Sequence, residues 1–135
     1  MNLKESRERI MQLERLFPEA LRGEEFQVYY QPKFDVRPDT PVLSSAEALV
    51  RWIHPELGMI SPGVFIPLFE DNGLIQRLDE YVWSETAKQI KDWRDRLGYS
   101  VPVSVNVSRI DLFDPELTNL LQTILKDYRL TGQDF

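Results

Sequence analysis

The 135-residue sequence contains no cysteine and a single histidine, His54. Disulfides, thiolate metal sites and histidine-rich centres are thereby excluded. Any bound metal must rest on oxygen ligands, which favours Mg²⁺, Mn²⁺ or Ca²⁺. Positive charge is also short, with 16 Lys+Arg against 22 Asp+Glu, a formal net charge of -6 and a pI of about 4.8. That balance is the reverse of a basic nucleic-acid footprint, so polymeric nucleic acid is not an expected partner. An anionic substrate would need local help from a metal or a placed arginine. No apolar run reaches the roughly 20 residues of a membrane span. Met1-Asn2-Leu3-Lys4-Glu5-Ser6 lacks the apolar core of a signal peptide. A cytoplasmic protein is the expectation.

What is present suits a packed domain: 42% of residues are hydrophobic and 11% aromatic, well outside the disordered class. Leu3 to Leu21 reads as an amphipathic helix, with Leu3, Ile10, Leu13, Leu16 or Phe17, and Leu21 near one face. Two readings fit it equally, a cover for one end of a barrel and a connector from an upstream signalling domain. Pro18 either breaks the helix or opens a second one. Phe26 to Pro32 is a β-rich strand closed by its proline, and Ala46 to Ile53 is the next. The stretch between them carries the turn signal Pro38-Asp39 and is too short for a parallel crossover, so the two strands pair antiparallel.

From there the rhythm becomes helix, strand, helix. Ser61-Pro62-Gly63 caps a short helix running to about Asn72, ended by Gly73. A longer helix places Leu78, Val82, Ile90, Trp93 and Leu97 on one stripe, with Gly98 just past its end. Val101 to Ser108 reads as a strand. Asp114-Pro115-Glu116 caps a last helix carrying Leu117, Leu120, Leu121, Ile124, Leu125 and Tyr128. Such alternation implies a mostly parallel sheet covered by helices. A closed barrel of this type needs on the order of 250 residues, so the chain is expected to be unfinished at Phe135.

Side chains two apart on a strand share a face. Ala46, Ala48, Val50 and Trp52 form one apolar face, while Glu47, Leu49 and Arg51 form the other. Phe26, Val28 and Tyr30 oppose Gln27, Tyr29 and Gln31; Val101, Val103, Val105 and Val107 oppose Pro102, Ser104, Asn106 and Ser108. Burying these polar groups without partners would cost several kcal/mol each, roughly, so this face is expected to line a polar cavity. Glu47 and Asn106 offer hard oxygen donors to a divalent cation, and Arg51 can hold a phosphate by paired hydrogen bonds. Taken singly, Glu47 with Arg51 reads better as a structural ion pair and Asn106 as a loop-holding amide, while Gln31 before Pro32 also reads as a strand cap. His54 before Pro55 reads as a loop residue, and Trp52, Trp83 and Trp93 as packing residues. The expectation of a site rests on three strands converging.

Four segments carry a family resemblance: Phe26-Gln27-Val28-Tyr29-Tyr30-Gln31-Pro32-Lys33, Ala46 to Pro55 around Glu47-Ala48-Leu49, Gly58 to Ile75, and Val103-Ser104-Val105-Asn106-Val107-Ser108. In order and spacing they resemble the EAL domain of bacterial cyclic-di-GMP phosphodiesterases. The resemblance implies an α/β fold, the N-terminal part of an EAL-type (β/α)8 TIM-like barrel with an antiparallel first strand. Residues 1–22 would be the amphipathic helix or connector and residues 23–135 a truncated EAL domain. Glu47 and Asn106 would ligate catalytic Mg²⁺ or Mn²⁺, while Gln31, Leu49 and Arg51 would contact cyclic-di-GMP, Arg51 at a phosphate. The complete domain would hydrolyse cyclic-di-GMP to linear pGpG, and this chain alone would be inactive, lacking the later acidic ligands and the catalytic lysine. The alternative is a degenerate, non-catalytic EAL module binding cyclic-di-GMP or a signalling partner. The resemblance further implies an upstream GGDEF or sensor domain, and open barrel edges imply self-association. Phe69 departs from the alanine common in the family at that position.

Overall fold

The computed structural model describes residues 3–135. Met1 and Asn2, the first residues of the segment 1–22 expected as helix or connector, lie outside the described residues. The elements in chain order are α1 (Leu3–Arg22), β1 (Phe26–Asp35), β2 (Val42–His54), β3 (Gly58–Ile60), α2 (Pro62–Asn72), α3 (Ile75–Leu97), β4 (Val103–Ser104), α4 (Arg109–Leu112) and α5 (Leu117–Asp127). One four-stranded sheet carries them. β1 and β3 pair antiparallel with β2, and β4 pairs parallel with it. The expected antiparallel start followed by parallel pairing is therefore present.

α1 runs unbroken through Pro18, which lies on its exposed side. Its C-terminal half buries Leu13, Phe17 and Ala20, whereas Leu3 and Ile10, expected on the same apolar face, are exposed. The helix ends in a Schellman-type turn: the Glu25 N–H donates to the Ala20 carbonyl at 3.0 Å, and Glu24 takes φ 56. Glycine is preferred in that left-handed conformation because a Cβ costs roughly 1 kcal/mol there. Glu24→Gly is accordingly expected to raise stability by about 0.5–1 kcal/mol, less glycine's extra unfolded-state entropy. The check is a higher urea midpoint at unchanged slope.

The apolar faces of β1 and β2 pack against α1 and α2 through an aromatic cluster. Trp52, fully buried, lies 4.9 Å from Phe26, 5.7 Å from Phe65 and 5.9 Å from Phe69, ring centre to ring centre. Phe69 in turn meets Phe17 of α1 edge-on at 4.9 Å. The departure from alanine at this position thus fills the space between α1 and the sheet. α2 begins as expected, with the Ser61 Oγ accepting from the Gly63 N–H at 3.2 Å, and it stops at Gly73, φ 84. α3 stops at Gly98, φ 79, whose N–H donates to the Arg94 carbonyl.

Several boundaries differ from the sequence reading. Pro32 does not close β1, which continues to Asp35; β1 is an edge strand, and an edge tolerates a residue without an N–H. The strand expected over Val101–Ser108 shrinks to Val103–Ser104, which pair with Ala46 and Glu47 of β2; β3 joins the same edge further along, at Trp52, Ile53 and His54. Val107, placed on the apolar face, is consequently 40% exposed. Leu97, in the last turn of α3, is exposed as well. The last helix starts at Leu117, and Asp114 supports that start by accepting the Glu116 N–H at 2.9 Å.

Candidate functional site

The β1–β2 register determines what stands together. Gln31 pairs with Glu47, Tyr29 with Leu49 and Gln27 with Arg51. On the far side Glu47 pairs with Ser104 of β4. Gln31, Glu47, Leu49 and Arg51 therefore occupy one continuous sheet face, opposite the buried Ala46, Ala48 and Trp52. Gln31 and Tyr29 are exposed, and Glu47, Leu49 and Arg51 half-buried. His54, read as a loop residue, holds the β2–β3 turn: its Nδ1 accepts the N–H groups of Glu56 at 3.1 Å and Leu57 at 3.0 Å.

Two residues of this face had no site role in the sequence reading. Lys33 places its Nζ 3.9 Å from the Glu47 Oε2. The signal was available, since Lys33 is two residues beyond Gln31 and so on its side of the strand. An exposed pair at that distance is worth little, so Glu47 stays open to a stronger cation. Tyr29 carries the Arg51 guanidinium 5.8 Å above its ring, and the Arg51 Nη1 donates to the Val50 carbonyl at 3.0 Å. Arg51 thus makes no ion pair with Glu47 among the described residues, and the structural-pair reading of the two falls away.

Asn106 stands apart. It lies beyond β4, exposed, and its backbone carbonyl accepts the Trp83 Nε1–H at 3.0 Å. It borders a cavity of about 210 Å³ whose walls include Ala48 and Val50 from the helix-facing side of β2 and Glu70 of α2. Larger clefts lie elsewhere, including one of about 590 Å³ between β1 and α3 whose lining includes Tyr30, Tyr81 and Glu85. Burial pushes the Tyr30 phenol up to about 12, so it stays neutral beside that cleft.

As a donor set, the Glu47 carboxylate with the side-chain carbonyls of Asn106 and Gln31 fits a hard divalent cation in kind. Among the described residues no three His, Cys, Asp or Glu side chains gather where they could hold a metal ion. Glu47 and Asn106 would therefore fill only part of a coordination sphere.

The fold and this face define the class. The EAL domain profile matches residues 14–134, and the chain belongs to the EAL domain family. Among curated relatives, the cyclic di-GMP phosphodiesterase PdeR of Escherichia coli is 37% identical over 108 residues, covering 80% of this chain and 16% of its own length. The signaling protein YkoW of Bacillus subtilis is 32% identical over 120 residues, covering 89% and 15%. A solved structure of the PaMucR phosphodiesterase in complex with c-di-GMP superposes with a TM-score of 0.79 at 31% identity, covering 88% of this chain and 47% of that one. The chain thus spans about one sixth of these curated relatives. Its fold is that of part of the EAL TIM barrel. No helix among the described residues is long and apolar enough to cross a membrane.

Proposed function

We propose that this chain supplies the front part of a cyclic-di-GMP phosphodiesterase domain. In this reading Glu47 and Asn106 hold a Mg²⁺ or Mn²⁺ ion, Arg51 binds a phosphate of the cyclic dinucleotide, and Gln31 and Leu49 position it. The bound metal would polarise a phosphoryl oxygen and lower the pKa of attacking water. Arg51, steadied over Tyr29 and clear of Glu47, places its Nη1 on the Val50 carbonyl and offers its remaining donors to phosphate. The observation that supports the reading best is the register that sets Gln31, Glu47, Leu49 and Arg51 on one face. Residues 1–22 then act as cover or connector and residues 23–135 as the EAL segment. An upstream GGDEF or sensor domain, self-association through open sheet edges and a cytoplasmic setting belong to the same proposal.

The exposed, displaced position of Asn106 favours a second reading, a non-catalytic module that binds cyclic-di-GMP or a signalling partner. Calorimetry of the chain with cyclic-di-GMP, followed by chromatography of the nucleotide, tests both. Binding that Arg51→Ala weakens by roughly 10–100-fold is expected, since a hydrogen bond to a charged group is worth about 1.5–3 kcal/mol. No pGpG is expected from the 135-residue chain. Metal-dependent turnover by it would contradict the expected inactivity, and binding indifferent to Arg51→Ala would remove that residue's role.

A further inference from the structure

Away from the Glu47 face, the turn after β4 is built on an acid. Asp111 is 1% exposed, and its Oδ2 accepts both the Ser108 N–H at 3.0 Å and the Ser108 hydroxyl at 2.8 Å, closing a capping box that starts α4. Its other oxygen, Oδ1, is buried and meets no donor. Asp79 on α3 has the same defect: its Oδ2 is buried without a donor. Asp79 and Ser108 line one cavity, and Ser108 is the residue that Asp111 holds, so the two carboxyl groups meet across that serine and interact. Two ionised carboxylates there would bury two unpaired acceptors and two like charges, each unfavourable on its own.

We propose that Asp79 and Asp111 share one proton at neutral pH, and that this proton latches the β4–α4 turn to α3. With the proton on Asp79, one orphan oxygen becomes a donor and the other its acceptor, so a single O–H···O bond satisfies both. Burial first, then the hydrogen bond and charge of Asp111, push the Asp79 carboxyl up to about 8, against the opposing pull of Ser108. The surrounding charges do not offer an alternative. Glu80 on α3 and Asp114 after α4 are acids, and Glu70 of α2 lines the same cavity as Asp79. Arg77 is turned to the Phe17 ring, 5.6 Å from its centre, and Arg109 borders a separate cavity beside Glu70 and Phe113. Among the described residues neither Asp79 nor Asp111 forms an ion pair.

The sign follows from linkage. The folded value for Asp79 lies above its ordinary value of 3.8, so the stabilisation is fully present below that and declines as pH rises through about 8. On ionisation the proton passes to solvent, and α3 then holds the segment through the Trp83 bond to the Asn106 carbonyl and the Gln76 Nε2 bond to the Asp114 Oδ2 at 2.6 Å.

Carboxyl-carbon NMR of the full chain reads the Asp79 titration directly. A midpoint near 8 is expected, with faster amide exchange at residues 108–112 above it. Asp79→Asn carries a permanent donor, so its exchange at these amides should follow only the intrinsic pH dependence. An Asp79 midpoint near 4 in the wild-type chain overturns the latch. So does loss of protection above pH 8 that runs in parallel in wild type and Asp79→Asn.

Discussion

Replacing Trp52 by alanine is expected to destabilise the chain by about 3–5 kcal/mol, the range for removing a large buried aromatic. Trp52 is fully buried, touches the rings of Phe26, Phe65 and Phe69, and donates its Nε1–H to the Glu25 Oε1 at 3.1 Å. It also sits where β2 is flanked on both edges, opposite Phe26 of β1 and Ile60 of β3. Its loss opens a cavity at the point where the sheet, α1 and α2 meet, and relaxation of all three together is improbable in so dense a cluster. Domains are typically stable by only about 5–15 kcal/mol, so Trp52→Ala should lower the urea midpoint by about a fifth or more. Trp52→Phe, which keeps a ring but drops the hydrogen bond, should cost roughly 1–2 kcal/mol. Equal losses for the two variants would mean that the indole hydrogen bond, and not ring packing, holds this junction.

The second large effect concerns Glu47. Glu47→Gln preserves size but removes the one carboxylate of the sheet face that carries Gln31, Leu49 and Arg51. Affinity for hard cations tracks ligand charge, and even outer-shell partners of a metal are worth about 10–100-fold. Mn²⁺ binding should therefore weaken by at least about ten-fold, while the thermal midpoint stays close to wild type, because the side chain's one ion pair, with Lys33 at 3.9 Å, is half-exposed and weak. Calorimetric titration with Mn²⁺, paired with a melt of the same sample, separates the two. Unchanged Mn²⁺ affinity would remove Glu47 from any metal site, and a large drop in the melt would recast it as structural.

Much of this was legible in the residues. The two-residue alternation of Glu47-Ala48-Leu49-Val50-Arg51 gives the faces of β2 correctly, since one buried face fixes strand register. The short link between β1 and β2 gives the antiparallel pairing, because chain length alone forbids a crossover. Helix ends at Gly73 and Gly98 follow from residues that tolerate positive φ. What stayed hidden depends on partners distant in sequence. β3 is three residues long and has no pattern of its own; it is a strand only through its pairing with Trp52, Ile53 and His54 of β2. Asp79 sits in the helical stripe beside Leu78, and nothing local shows that it meets Asp111. Asn106 continues the alternation of β4 in sequence, yet the ladder ends at Ser104, so period alone placed it on a strand that stops short. Phe69 read as a departure from family pattern, and only the packing of Phe17 against it gives it a reason.

Mn²⁺-induced line broadening across the assigned amide spectrum of the chain tests the central proposal most directly. Broadening that begins at Gln31, Glu47 and Arg51, spreads to the segment around Asn106, and disappears in Glu47→Gln is the predicted outcome. Broadening centred instead on another acidic cluster, or unaltered by Glu47→Gln, would contradict the assignment of this sheet face as the metal and phosphate site.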